Sequence, residues 1–144
     1  MLSVVWRSQA DQQQYEEARV DRIFNRQIPD QCPLAIAYAE SEQDIVDAVR
    51  LAIEHQCCIS VRAGGQSWPV WSVRDDVLLI DLGKYTEINL DEETGIVKVS
   101  PSTTGYELER YLSNRGRTFS VGHCADVGVG GALLCGGMGW NCNV

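Results

Sequence analysis

The chain has 144 residues, 44% hydrophobic and 22% charged, which suits one globular domain with a sizeable core. Twelve basic against twenty acidic residues leave a net charge of −8, and no basic stripe exists to release counterions from a phosphate backbone, so a nucleic-acid partner is excluded. No apolar run approaches the roughly 20 residues of a membrane-spanning helix, so no membrane partner is expected.

The N-terminus, MLSVVWRSQADQQQ, has only a short apolar stretch, and Arg7 interrupts it where the apolar core of a signal peptide would run. A cytoplasmic chain is expected. The six cysteines are Cys32, Cys57, Cys58, Cys124, Cys135 and Cys142, with no C-x-x-C pair and only His55 and His123 beside them. Zinc-site spacing is absent, so no metal site is expected, and in a cytosolic setting a disulfide framework is not expected either.

In chain order, residues 12–22 are polar, with Tyr15, Val20 and Ile23 at loosely helical spacing. Pro29 and Pro33 break the chain before a first strand over 34–38. Ser41 caps a helix running to about Glu54, with Ile45, Val49, Ala52 and Ile53 on one face. Residues 57–61 (CCISV) predict a buried strand, and strand–helix–strand in this order predicts parallel strands. That strand runs into Arg62-Ala63-Gly64-Gly65-Gln66-Ser67, at the strand end where α/β sheets receive ligands.

Residues 77–81 (VLLID) predict another buried strand. Residues 88–90 and 96–100 flank an acidic tip and predict a hairpin. Thr104 with Glu107 forms a capping box for a helix that stops at Gly116, and 118–121 predicts a short strand. The fold class is α+β, small sheets flanked by helices with two glycine-rich loops.

The second of these loops lies in 122–140, GHCADVGVGGALLCGGMGW, which holds seven of the thirteen glycines. Glycine loses the most conformational freedom on folding, so such a cluster suits backbone at positive φ or against a ligand. A flexible linker is the alternative, but Val127, Val129, Leu133, Leu134, Met138 and Trp140 are too apolar for linker composition. With no Lys or Arg here, a phosphorylated ligand would be held by backbone N–H groups.

Familiar glycine signatures fail residue by residue. G-x-G-x-x-G from Gly128 meets Leu133, a Walker A loop from Gly131 meets Gly137 instead of lysine, and G-x-S-x-G from Gly65 meets Pro69. The order Arg62 to Ser67, hairpin, helix, then Gly122-His123-Cys124-Ala125-Asp126-Val127-Gly128-Val129-Gly130-Gly131 resembles instead the PCMH-type FAD-binding domain of vanillyl-alcohol oxidase and berberine-bridge-enzyme-like flavoproteins. Arg22-Ile23-Phe24-Asn25 resembles the opening of that domain, and 41–50 its first helix. The similarity covers 20–144, and the chain is divided into an N-terminal extension, 1–30, and a FAD-binding domain, 31–144, truncated on its C-terminal side.

The resemblance implies FAD as cofactor and oxidation of alcohols, sugars or secondary metabolites by hydride transfer to flavin. It implies that Arg62, Ala63, Gly64, Gly65, Gln66 and Ser67, with Val127, Gly128, Gly130 and Gly131, cradle the pyrophosphate, and that Gly136, Gly137 and Gly139 shape the flavin pocket. Relatives carry a flavin-linking histidine where this chain has Gln66, and a neutral amide is a poor nucleophile, so that link is expected to be absent. Cys124 matches a second linking position, to flavin C6; a thioether and a plain structural cysteine both stay open. His123 is read as a loop residue, and no catalytic residue is assigned. A small-molecule substrate is expected if further chain completes the domain. The alternative is a non-catalytic remnant or binding module that self-associates through an unpaired sheet edge.

Overall fold

The computed structural model describes residues 2–140. Cys142 and the last residues of the domain assigned to 31–144 lie outside this range. The elements are β1 (Ser3–Trp6), α1 (Gln12–Val20), β2 (Ala35–Tyr38), α2 (Glu42–Glu54), β3 (Ile59–Arg62), β4 (Leu78–Asp81), β5 (Ile88–Leu90), β6 (Val97–Val99), α3 (Gly105–Ser113) and α4 (Val129–Leu134).

The main sheet has the order β1-β2-β4-β3. β4 lies parallel to both β2 and β3, and β1 runs antiparallel along the outside of β2. The period-two alternation of strands divides its side chains between two cores. On one face Ala35, Ala37, Leu78 and Ile80 meet Ala48 and Ala52 of α2. On the other, Ile36 and Leu79 meet Tyr15 and Ala18 of α1, with Ile23, Val70 and Val73. All four residues of β4 are buried, which makes it the centre of the molecule. Residues 2–30, expected as an extension, supply β1 and α1 to this sheet.

A smaller unit follows. β5 and β6 form an antiparallel hairpin, and Leu90 packs with Leu108 and Leu112 of α3 and Val129 of α4. The Thr104 side chain accepts from the Glu107 N–H while Glu107 reaches back to the Thr104 N–H, completing the expected capping box.

Three expectations are corrected. The buried stripe of α2 is Ala48 and Ala52, while Val49 and Ile53 are exposed, because the alanines allow the helix to approach the alanine-rich β2 closely. The strand expected over 57–61 begins at Ile59 and is half open: it lies at the sheet edge, and Ile59 and Val61 face outward while Ser60 and Arg62 are covered. Residues 118–121 pair with no strand among the described residues.

Candidate functional site

The two parallel strands β3 and β4 end together, at Arg62 and Asp81, and the chain leaving β3 forms the first glycine loop. Its backbone lies directly on the second loop. A Cβ built on Gly64 would sit 2.8 Å from the Gly128 nitrogen and 2.9 Å from its Cα, so neither position has room for a side chain. A Cβ on Gly130 would meet Pro101 at 2.6 Å. Gly65, at φ +75°, takes the left-handed conformation and has the Arg22 carbonyl against it. The Gln66 side-chain amide donates to the Asp126 carbonyl at 3.5 Å, a second tie between the loops.

Backbone donors on the first loop are free. The N–H groups of Gly64, Gly65 and Gln66 have no acceptor among the described residues. Gly128 is the N-cap of α4 and offers no side-chain cap. The Val129 and Gly130 N–H groups are taken by the Thr103 and Pro101 carbonyls, and a Cβ on Gly131 would meet nothing within 4 Å. The loops border a cleft of 1660 Å³ whose wall includes the outward face of β3. Successive N–H groups left without acceptors at the rim of such a cleft suit an anionic ligand.

Of the residues expected to bind cofactor, Ala63, Gly64, Gly65, Gln66, Ser67, Val127, Gly128, Gly130 and Gly131 line this cleft. Arg62 borders it too, but its side chain is committed elsewhere. Its Nε donates to Asp81 Oδ2 at 2.6 Å, and its two terminal nitrogens donate to the Arg19 and Ala18 carbonyls at 2.6 and 2.7 Å. Arg62 therefore braces the loop from behind, its guanidinium bonded to Asp81 and to the end of α1.

Gly136, Gly137 and Gly139, expected to shape the flavin pocket, lie outside the lining of this cleft, as Cys124 does. Gly136, at φ +71°, follows the C-cap Cys135 and ends α4, with Gly137 N–H donating to the Ala132 carbonyl at 2.5 Å. Gly139 lies against Ser120 and Val121. These glycines fold the second loop back on itself. Cys124 is exposed and outside the cleft lining, and the His123 ring packs at 3.7 Å on Trp140.

The site has a further support from the 22–25 segment. Arg22 donates to Asp81 and to the Ala63 carbonyl, Phe24 N–H donates to the Gly65 carbonyl, and Asn25 Nδ2 donates to the Trp68 carbonyl. The signal was the Arg22–Asn25 resemblance, which marked these residues without giving them a role.

An open cleft along β3, bordered by two loops that meet glycine to glycine, suits a cofactor-binding domain. A family model described as a FAD binding domain matches residues 33–144, and the chain belongs to this family, with FAD its cofactor. It is 44% identical to the FAD-linked oxidoreductase nodO of Hypoxylon pulicicidum over 97% of this chain and 31% of that protein. In structure it is similar to BBE-like 1 of Physcomitrella patens, at 23% identity, TM-score 0.78, covering 92% of this chain and 28% of the other. It is also similar to aclacinomycin oxidoreductase, at 27% identity, TM-score 0.75, covering 96% and 27%. The chain thus spans less than a third of the length of the curated relatives it matches, 31% in nodO.

Proposed function

We propose that this chain is the flavin-holding part of an oxidoreductase, and that the Gly64–Gly128 junction holds the FAD pyrophosphate through the free N–H groups of 64–66. That junction carries the reading: two backbones in contact at the rim of a cleft of 1660 Å³, with uncommitted donors on the first loop. The bound isoalloxazine would accept a hydride from an alcohol, sugar or secondary metabolite. The residues of this chain bind and orient. Gln66 bridges the loops as a neutral amide, and Cys124, exposed on the adjoining turn, is free to form a thioether. Relatives are about three times as long, and the catalytic base belongs in this reading to protein beyond the matched portion.

One observation favours a second reading, a binding module or remnant that pairs with another copy. Leu134 is 90% exposed and Trp140 76%, and β3 leaves its outer edge unpaired among the described residues. Both readings meet one test. The chain is loaded with FAD, desalted, precipitated in acid, and its spectrum recorded over the flavin bands. Flavin retained on desalting supports the oxidoreductase reading; flavin retained after acid, and lost in Cys124→Ala, places the thioether. A colourless protein at both steps overturns the first reading.

A further inference from the structure

Apart from Arg62 at the head of the first, whose guanidinium is committed to Asp81 and α1, neither glycine loop carries a lysine or arginine, and the whole chain has a net charge of −8. A diphosphate bound there needs positive potential from elsewhere. Behind the first loop two guanidinium groups converge on one carboxylate. Asp81 is fully buried and receives Arg62 Nε at 2.6 Å, Arg22 Nη1, and the Gly83 N–H at 2.7 Å. Two cations against one anion leave the cluster one positive charge in excess.

The two arginines differ in what else they hold. The Arg62 side chain is 1% exposed and turned toward the end of α1, where it meets backbone carbonyls. The Arg22 side chain is 29% exposed, and its Nη2 donates to the Ala63 carbonyl at 2.6 Å. The guanidinium lies flat on Gly83, where a Cβ would overlap it, while the Arg22 carbonyl abuts Gly65 and Phe24 N–H holds the Gly65 carbonyl. The carbonyls of the loop at 63 and 65 are thus tied toward the 22–24 segment, and the N–H groups of 64–66 stay unpaired. Charge and alignment converge in Arg22.

We propose that Arg22 is the positioning residue of the first glycine loop and supplies the positive potential that holds a diphosphate ester there. This rests on the cradle reading given above. Arg22 touches no reacting atom; it acts through the Ala63–Gln66 backbone.

The test measures binding of ADP, riboflavin and FAD to the 144-residue chain by calorimetry at low and moderate salt, with thermal unfolding of each variant as the folding control. ADP carries the diphosphate without the isoalloxazine, and riboflavin the reverse. Arg22→Gln is expected to raise Kd for ADP and FAD about tenfold, flatten their salt dependence, and leave riboflavin unchanged. Gly83→Ala, which displaces the guanidinium and keeps its charge, is expected to weaken ADP about threefold and preserve the salt dependence. If Arg22→Gln does not fold, Gly83→Ala decides. Equal loss of ADP and riboflavin, or loss of neither, overturns the proposal. FAD binding without any ADP binding by the unmodified chain also overturns it and leaves FAD binding standing. No ligand binding at all overturns the cradle reading and this proposal together.

Discussion

Gly64 and Gly128 touch backbone to backbone, each occupying the space where the other would carry a side chain. The contact joins the end of β3 to the start of α4 and sets the spacing of the two loops. Gly64→Ala forces them apart, because the atoms in the way are main chain and cannot rotate aside. Overpacking of this kind costs about 1–3 kcal/mol. FAD affinity, read by quenching of flavin fluorescence, is expected to fall at least about tenfold, the effect of about 1.4 kcal/mol at the site. Unaltered affinity in a folded Gly64→Ala protein would remove this junction from the binding site.

Gly131 offers the opposite case. It lies inside α4, and a Cβ there meets no protein atom within 4 Å. Alanine in a helix interior is favoured over glycine by about 0.5–1 kcal/mol, so Gly131→Ala is expected to stabilise the free protein. The added methyl enters the cleft, and FAD binding should weaken at the same time. Thermal unfolding with and without FAD separates the effects: a higher Tm alone, and a smaller FAD-induced rise. A rise in Tm with the FAD increment intact would show that the ligand does not approach Gly131.

Much of this was legible before any coordinates. The capping signals at Ser41 and Thr104, the hairpin across its acidic tip and the apolar run of β4 are local, and each formed as expected. The glycine loops were legible because clustered glycine suits close backbone approach. What escaped notice depends on partners distant in sequence. Nothing in 57–61 shows that β3 is an edge strand; that follows from β4 inserting between β2 and β3. Arg62 read as a ligand contact because it heads the loop, and only Asp81, Ala18 and Arg19 reveal it as a brace. Gly136 looked the same in sequence as Gly128, yet one ends a helix and the other meets a loop.

Tyr15 sets a pH limit on the larger core. Its hydroxyl is buried against the Pro33 carbonyl, to which it donates at 2.7 Å. Burial, reinforced by Cys32, pushes the phenol up from 10.0 to about 12. The unfolded chain ionises first, so the contribution of Tyr15 is complete below pH 10 and is lost as pH rises toward 12. Two pH units correspond to at most about 3 kcal/mol. Tyr15→Phe is expected to lower stability at pH 8 by about 1 kcal/mol, through the lost hydrogen bond. Between pH 10 and 12 its stability should fall less steeply than that of the unmodified protein. Parallel pH profiles from urea unfolding would show instead that Tyr15 ionises alike in both states.

The edge of β3 sets the last expectation. Ile59 and Val61 point outward, 38% and 53% exposed, along a strand with no outer neighbour among the described residues, and Leu134 stands across the cleft at 90% exposure. Sheet edges with apolar side chains and unpaired N–H and C=O groups recruit further strands, and a lysine on such an edge is the natural deterrent. The chain at high concentration is therefore expected to self-associate, and Val61→Lys to return it to monomer in sedimentation velocity. Val61 and Leu134 also border the cleft that the flavin reading fills, so FAD and the second copy compete for one surface. Saturating FAD should shift the unmodified protein toward monomer. Association that persists unchanged in both Val61→Lys and the FAD-loaded protein would place the contact away from the sheet edge, on another exposed apolar segment such as that of Met138 and Trp140.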